Sequence, residues 1–121
     1  MSNDENKAII KNLIEELNKG NTKAYKDAIE PDCEILHWCG ESINKEDFLD
    51  FINTVTVAHP DFNIAIEDMI ADEDKVVVRY TESATVKGNF VGTEPNKGRF
   101  SLPAIEIYRL SKGKINGLWM A

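Results

Sequence analysis

The apolar positions of this chain follow two different periods, and the change falls near residue 60. In SNDENKAIIKNLIEELNKG, Ile10, Leu13, Ile14 and Leu17 fall at i, i+3, i+4 and i+7, the stripe of an amphipathic helix. Ser2 followed by Glu5 has capping-box spacing, and Gly20 stands where a left-handed residue would end that helix. A shorter helix is expected from about Asn21, burying Tyr25, Ala28 and Ile29 before Pro31 stops it. A third opens with Asn44 as cap and Asp47 at its third position, and Ile43 with Phe48 has the spacing of a hydrophobic staple. Phe48, Phe51, Ile52 and Val55 form its apolar stripe, and His59-Pro60 ends it. Between the second and third helices, residues 33–39 of CEILHWCG read as a strand.

From Phe62 onward the period is two. Phe62, Ile64 and Ile66 mark a first long strand, and Asp72-Glu73-Asp74 turns it into a second over residues 75–87. There Val76, Val78, Tyr80, Ala84 and Val86 share a face, with Glu82 among them. Residues 88–98, GNFVGTEPNKG, read as a long hairpin loop. A third strand covers residues 99–110, where Pro103 requires an edge or a bulge. Ser111-Lys112-Gly113 then turns into a last strand, KINGLWM. No internal repeat or linker interrupts this order. It predicts one α+β domain over residues 1–121, three helices followed by an antiparallel meander.

Composition narrows the function classes. The 121 residues include 42% hydrophobic and 29% charged side chains, ordinary for a globular domain. A net charge of −7 argues against nucleic acid and anionic membranes as partners, since both require basic surface. No run approaches the ~18 uncharged apolar residues of a membrane span. The opening MSNDENK lacks the apolar core of a secretory signal, so a cytoplasmic protein beginning there is expected.

The stretch CEILHWCG concentrates two cysteines, a histidine and a tryptophan. Along a strand, Cys33 and Cys39 would stand ~20 Å apart, too far for a disulfide or for one shared metal ion. His37 and Cys39 share a face ~7 Å apart, but the only other histidine is His59, at a helix end. A nucleophilic cysteine would need electropositive surroundings, which the flanking sequence does not supply. The expectation is therefore two small buried residues in the wall of a pocket, with no metal, no disulfide and no cofactor.

The order helix-helix-strand-helix and then four long strands resembles the cone-shaped fold of nuclear transport factor 2. Locally the chain is similar to the SnoaL-like family within that superfamily, which contains polyketide cyclases. The likeness rests on the first helix through Gly20, PDCEILHWCGESINKEDFLDFI, HPDFNIAIEDMIADEDKVVVRY, VGTEPNKG and IEIYRLSKGKINGLW. It implies a curved antiparallel sheet roofed by three N-terminal helices and enclosing a pocket. It also places the opening strand along the pocket mouth, with His37 or Trp38 facing a ligand. Ketosteroid isomerases of this fold use a tyrosine, a base aspartate and an acidic donor. The matching positions here fall near Leu13, at or beside Trp38, and at Glu106. SnoaL-like cyclases carry a histidine before the hairpin loop and acidic or histidine residues around the last tryptophan. Here those positions read Val86 and Gly117-Leu118-Trp119-Met120.

Glu106 is the leading candidate for chemistry. Alternation in AIEIY sets it on the face of Ala104 and Tyr108; if that face is the dry interior, burial raises its pKa into a useful range. The alternative is an outward carboxylate, or one paired with Arg79. His37 is the second candidate. Trp38, Phe48, Phe51, Ile52, Arg79, Tyr108 and Trp119 are the candidate ligand contacts. Two functions follow: a cyclase or isomerase acting on a small apolar carbonyl compound, or a non-catalytic binding or dimerisation module for an apolar ligand. The alternate face, with Val77, Ile105 and Ile107, is expected to join two copies in a homodimer, as is common in this fold.

Overall fold

A computed structural model describes residues 2–37, 40–85 and 99–121. Among these, six strands form a single curved sheet in the order β2-β1-β6-β5-β4-β3, with three helices packed on it. The first helix, α1 (Asn3–Asn18), has the expected capping box, with Ser2 Oγ accepting from the Glu5 amide and the Glu5 carboxylate from the Ser2 amide. It closes in a Schellman turn: Gly20 has φ +84°, its amide donates to Leu17 and the Asn21 amide to Glu16. Asn18 ties this helix end to the first long strand through paired bonds of 2.9 and 2.7 Å to the Ile64 backbone.

The second helix, α2 (Lys23–Ala28), runs directly into β1 (Ile29–Leu36). The strand thus begins earlier than expected and ends at Leu36. Pro31 lies inside it, where the register shifts between the Ile29–Ile115 and Glu34–Gly117 pairs, so its missing N–H falls in an irregular stretch of the ladder. The chain then turns, with the Gly40 amide donating to His37, into a two-residue strand, β2 (Ser42–Ile43). The third helix, α3 (Lys45–Ala58), starts at the Asn44 cap, whose side chain accepts from the Asp47 amide at 2.8 Å. No helix among the described residues is long and apolar enough to cross a membrane.

The long strands are β3 (Asn63–Asp72), β4 (Lys75–Thr85), β5 (Arg99–Ser111) and β6 (Lys114–Met120). They form the expected antiparallel meander, but β1 joins the far side of β6 in parallel, so the sheet is not wholly antiparallel. A bulge between Ile66 and Asp68 keeps Ile64 and Ile66, then Met69 and Ala71, turned toward the core while the strand bends. Between β4 and β5 the register is unbroken from Lys75–Arg109 to Thr85–Arg99, so Pro103 makes no bulge. It lies past the end of β6, whose pairing stops at Met120 and Ala121, and there the missing donor leaves no partner unsatisfied. Lys112 and Gly113, at φ 52° and 80°, make the last turn.

Unbroken register settles the faces. Val76, Val78, Tyr80, Ala104, Glu106, Tyr108, Leu118 and Met120 point inward and are buried. Val77, Arg79, Thr81, Ser83, Ile105, Ile107 and Trp119 occupy the outer face. Ile10 and Ile14 of α1 meet the inner face, and each fully buried aliphatic side chain contributes about 1.5–3 kcal/mol of transfer free energy. The loop expected at residues 88–98, the strand end at Val86, and Trp38 and Cys39 lie outside the described residues.

Candidate functional site

The sheet curves away from the helices and leaves a cavity of about 440 Å³ between them. Its helical wall comes from Leu17, Tyr25, Phe48, Phe51, Ile52 and Val55. Its sheet wall comes from Phe62, Ile64, Tyr80, Phe100, Leu102 and Met120. The i, i+3, i+4, i+7 stripe of α3 and the period-two inner face of β4 and β5 account for most of these residues. Against this apolar lining, Thr56, Glu82 and Glu106 are the exceptions.

Glu106 is 7% exposed. Tyr108, two residues along the same face of β5, donates its hydroxyl hydrogen to Glu106 Oε1 at 2.6 Å. The Tyr25 and Tyr108 hydroxyl oxygens are 3.2 Å apart, so a buried chain runs from α2 to the carboxyl. Burial pushes the Glu106 pKa up to about 7, against the pull of the Tyr108 and Tyr80 hydroxyls, with the nearby Glu82 charge adding to the rise. Tyr25, Tyr80 and Tyr108 are shifted upward, first by burial and then by the Glu106 charge, so they remain protonated donors at neutral pH. A carboxyl poised near neutrality among fixed hydroxyls can both take and return a proton.

Glu82 is half-buried on the same wall, and burial raises its pKa too. Its position among Val76, Val78, Tyr80 and Ala84 was legible from alternation, but its place in the cavity was not anticipated. Tyr25, expected to be buried, and Tyr80, expected on the same strand face as Glu82, also line the cavity.

The structure brings together Glu106, Phe48, Phe51 and Ile52 as cavity lining, with Tyr108 directly behind Glu106. His37 stands just beyond the end of β1, its ring edge-on to Phe51 at 5.1 Å between centroids, and is not itself part of the lining. Arg79 and Trp119 do not reach the cavity. Arg79 pairs with Ile105, one position out of phase with Val78 and Glu106, so the Glu106–Arg79 pair is ruled out by register. Trp119 pairs with Ile107 on the outer face, where the Arg109 guanidinium lies 5.2 Å from its ring. Gly117 makes room for that stack, since a Cβ there would come within 2.7 Å of the indole. Trp38 lies outside the described residues.

Cys33 is buried, and burial raises its thiol to about 11, which leaves little thiolate at neutral pH. Among the described residues no group of three or more His, Cys, Asp or Glu side chains is placed to hold a metal ion.

Residues 7–121 match the family model of the SnoaL-like polyketide cyclases. The chain belongs to that family. Among solved structures, AclR, a candidate hydroxylase from Streptomyces galilaeus, is 25% identical with a TM-score of 0.88, over 99% of this chain and 90% of its own. IdmH, a candidate polyketide cyclase from Streptomyces antibioticus, gives 22% identity and a TM-score of 0.83, over 96% of this chain and 90% of its own. A candidate polyketide cyclase from Acidithiobacillus ferrooxidans gives 24% and 0.80, over 100% of this chain and 90% of its own. No curated protein matches the chain. In this SnoaL-like protein the isomerase tyrosine position, Leu13, is packed in the core, and Leu118 is fully buried beside Tyr108.

Proposed function

We propose that this SnoaL-like protein transfers protons on a small, largely apolar carbonyl compound, with Glu106 as the acid/base group. The reading is carried by one observation: a hydrogen-bonded carboxyl with its pKa near 7, facing an otherwise apolar cavity. The ionised Glu106 takes a proton from the carbon beside the carbonyl, and the electrons of that C–H bond pass into an enolate. Tyr80 lines the same cavity and hydrogen-bonds to the ionised Glu106; as Glu106 takes up the proton, that hydroxyl is released to donate to the developing oxyanion. Protonated Glu106 then returns its proton. It goes to another carbon in an isomerisation. In a cyclisation, the enolate carbon bonds to a second carbonyl of the same molecule and the proton goes to the resulting alkoxide. His37, against Phe51 at the cavity margin, orients that ring rather than acting on the ligand. Phe48, Phe51 and Ile52 supply the apolar contact that holds the ligand in place.

The test uses naphthyl methyl ketones in deuterated buffer. Proton NMR should show wild-type protein speeding exchange of the methyl protons, and Glu106→Gln losing roughly two orders of magnitude or more of that rate. Tight binding of these ketones with no acceleration by the wild type would replace this reading with that of a non-catalytic binding module.

We further propose that two copies pair through the outer sheet face. Val77, Ile105, Ile107 and Trp119 give that face its apolar content, and Ile105 is 44% exposed in the single chain.

A further inference from the structure

The cavity carries a second carboxyl, Glu82, which takes no part in the proton transfer proposed for Glu106. Glu82 lies on the inner face of β4 and pairs with Leu102, which is 46% exposed, whereas Glu106 pairs with the buried Val78. Val78 and Glu82 are four residues apart, so the two carboxyl-bearing positions lie about 13 Å apart along the sheet. Glu106 is buried, whereas Glu82 is half-buried beside that exposed leucine. The Glu82 carboxyl takes part in no hydrogen bond or ion pair among the described residues, although it is half-buried. The neighbouring strand cations do not neutralise it. Arg79 faces outward, and Arg99 is engaged by Asp61 at 3.2 Å and Ser83 at 2.9 Å. Among the described residues lining the cavity there is no lysine or arginine.

A half-buried carboxyl without a protein partner is left to water, and a ligand that fills the cavity displaces that water; a ligand that donates to the carboxyl replaces the lost bonds. A carboxylate-bearing ligand would instead meet two acidic groups, with no cation among the described lining residues to offset them. We propose that Glu82 is a specificity-determining residue: the cavity selects elongated ligands with a carbonyl at the Glu106 end and a hydrogen-bond donor at the other, and rejects free carboxylic acids. This inference rests on the reading of Glu106 as the group that meets the carbonyl.

The experiment titrates the whole chain with three fluorescent naphthyl methyl ketones. They differ only at the far ring position, which bears a hydroxyl, a methoxy or a carboxylate group. The hydroxyl ketone should bind wild-type protein about tenfold more tightly than the methoxy ketone, and the carboxylate about tenfold more weakly. In Glu82→Gln, which keeps an acceptor and removes the charge, the carboxylate should recover most of its affinity while the hydroxyl preference stays. In Glu82→Leu, which removes both, the hydroxyl preference should vanish. Equal affinities in the wild type, or the wild-type ranking unchanged in Glu82→Leu, overturn the inference. Methyl-proton exchange measured in the same samples separates the two readings. Binding and exchange without the ranking remove only the role of Glu82, whereas neither binding nor exchange removes the Glu106 reading and this one together.

Discussion

Tyr108 and Glu106 stand two residues apart on one face of β5 and share a 2.6 Å hydrogen bond inside the protein. Each shapes the other. The phenol supplies a donor that favours the ionised carboxyl, and the carboxyl makes loss of the phenol proton harder.

The first consequence is a pH dependence of stability with the opposite sign to that of a salt-bridged acid. Burial raises Glu106 from its ordinary 4.5 to about 7, so its contribution is complete below the unfolded pKa and is lost as pH rises through about 7. A shift of this size corresponds to about 3 kcal/mol at full ionisation. Glu106→Gln cannot ionise. Thermal melts should find the variant more stable than wild type near pH ~8.5, with the advantage gone or reversed near pH ~4. A variant clearly less stable than wild type at the higher pH and equal at the lower would show the opposite sign and place Glu106 in an ion pair.

Tyr108→Phe removes the donor and leaves the ring. The charged form of Glu106 loses a hydrogen bond, so its pKa should rise further and the ascending limb of the exchange rate should move above pH ~7. Tyr25 also loses its hydroxyl partner, and the change should cost about 1–3 kcal/mol of stability. A stability loss with no movement of the pH limb would make Tyr108 structural only.

Much of this arrangement was legible in the sequence because it depends on local rules. The capping box at Ser2 and Glu5, the left-handed Gly20 and the Asn44 cap are set by neighbouring residues and formed as read. Alternation set Glu106 on the face of Ala104 and Tyr108 but left open whether that face is the interior, with Pro103 a source of possible slip. Register with β4 runs unbroken past that proline, because it lies where β6 has ended. The misplacements are all non-local. The parallel docking of β1 beside β6 depends on where the last strand leaves a free edge, which no local pattern records. Trp119, a candidate ligand contact from sequence, lies on the outer face, because its neighbour Met120 pairs with Glu106 and takes the inward position. The proximity of Tyr25, from α2, to Tyr108 joins residues 83 positions apart and required the tertiary structure.

Assembly through the outer sheet face predicts a mass in solution twice the chain's 13.6 kDa. Replacing Ile105 and Ile107 together by lysine puts charge on that face without touching the buried neighbours Glu106 and Tyr108. Light scattering at micromolar concentration should report dimer for the wild type and monomer for the double variant, with exchange activity retained. Wild-type protein that scatters only as monomer would exclude the pairing.

The last prediction separates the two candidate proton carriers. The His37 ring meets Phe51 edge-on at 5.1 Å, outside the lining of the cavity, whereas Glu106 faces into it. A ring in that place fixes the orientation of Phe51, and through it the shape of the cavity wall, without reaching the carbon that loses its proton. His37→Gln should therefore alter ketone affinity by a few-fold at most and leave the exchange rate of bound ketone near the wild-type value. The loss in Glu106→Gln should reach about 100-fold or more. The pH profile adds an independent reading. In His37→Gln the ascending limb should stay near pH ~7, where burial of Glu106 sets it. If the limb instead vanishes in His37→Gln and persists in Glu106→Gln, the proton is carried by the histidine, and the carboxyl serves only to bind.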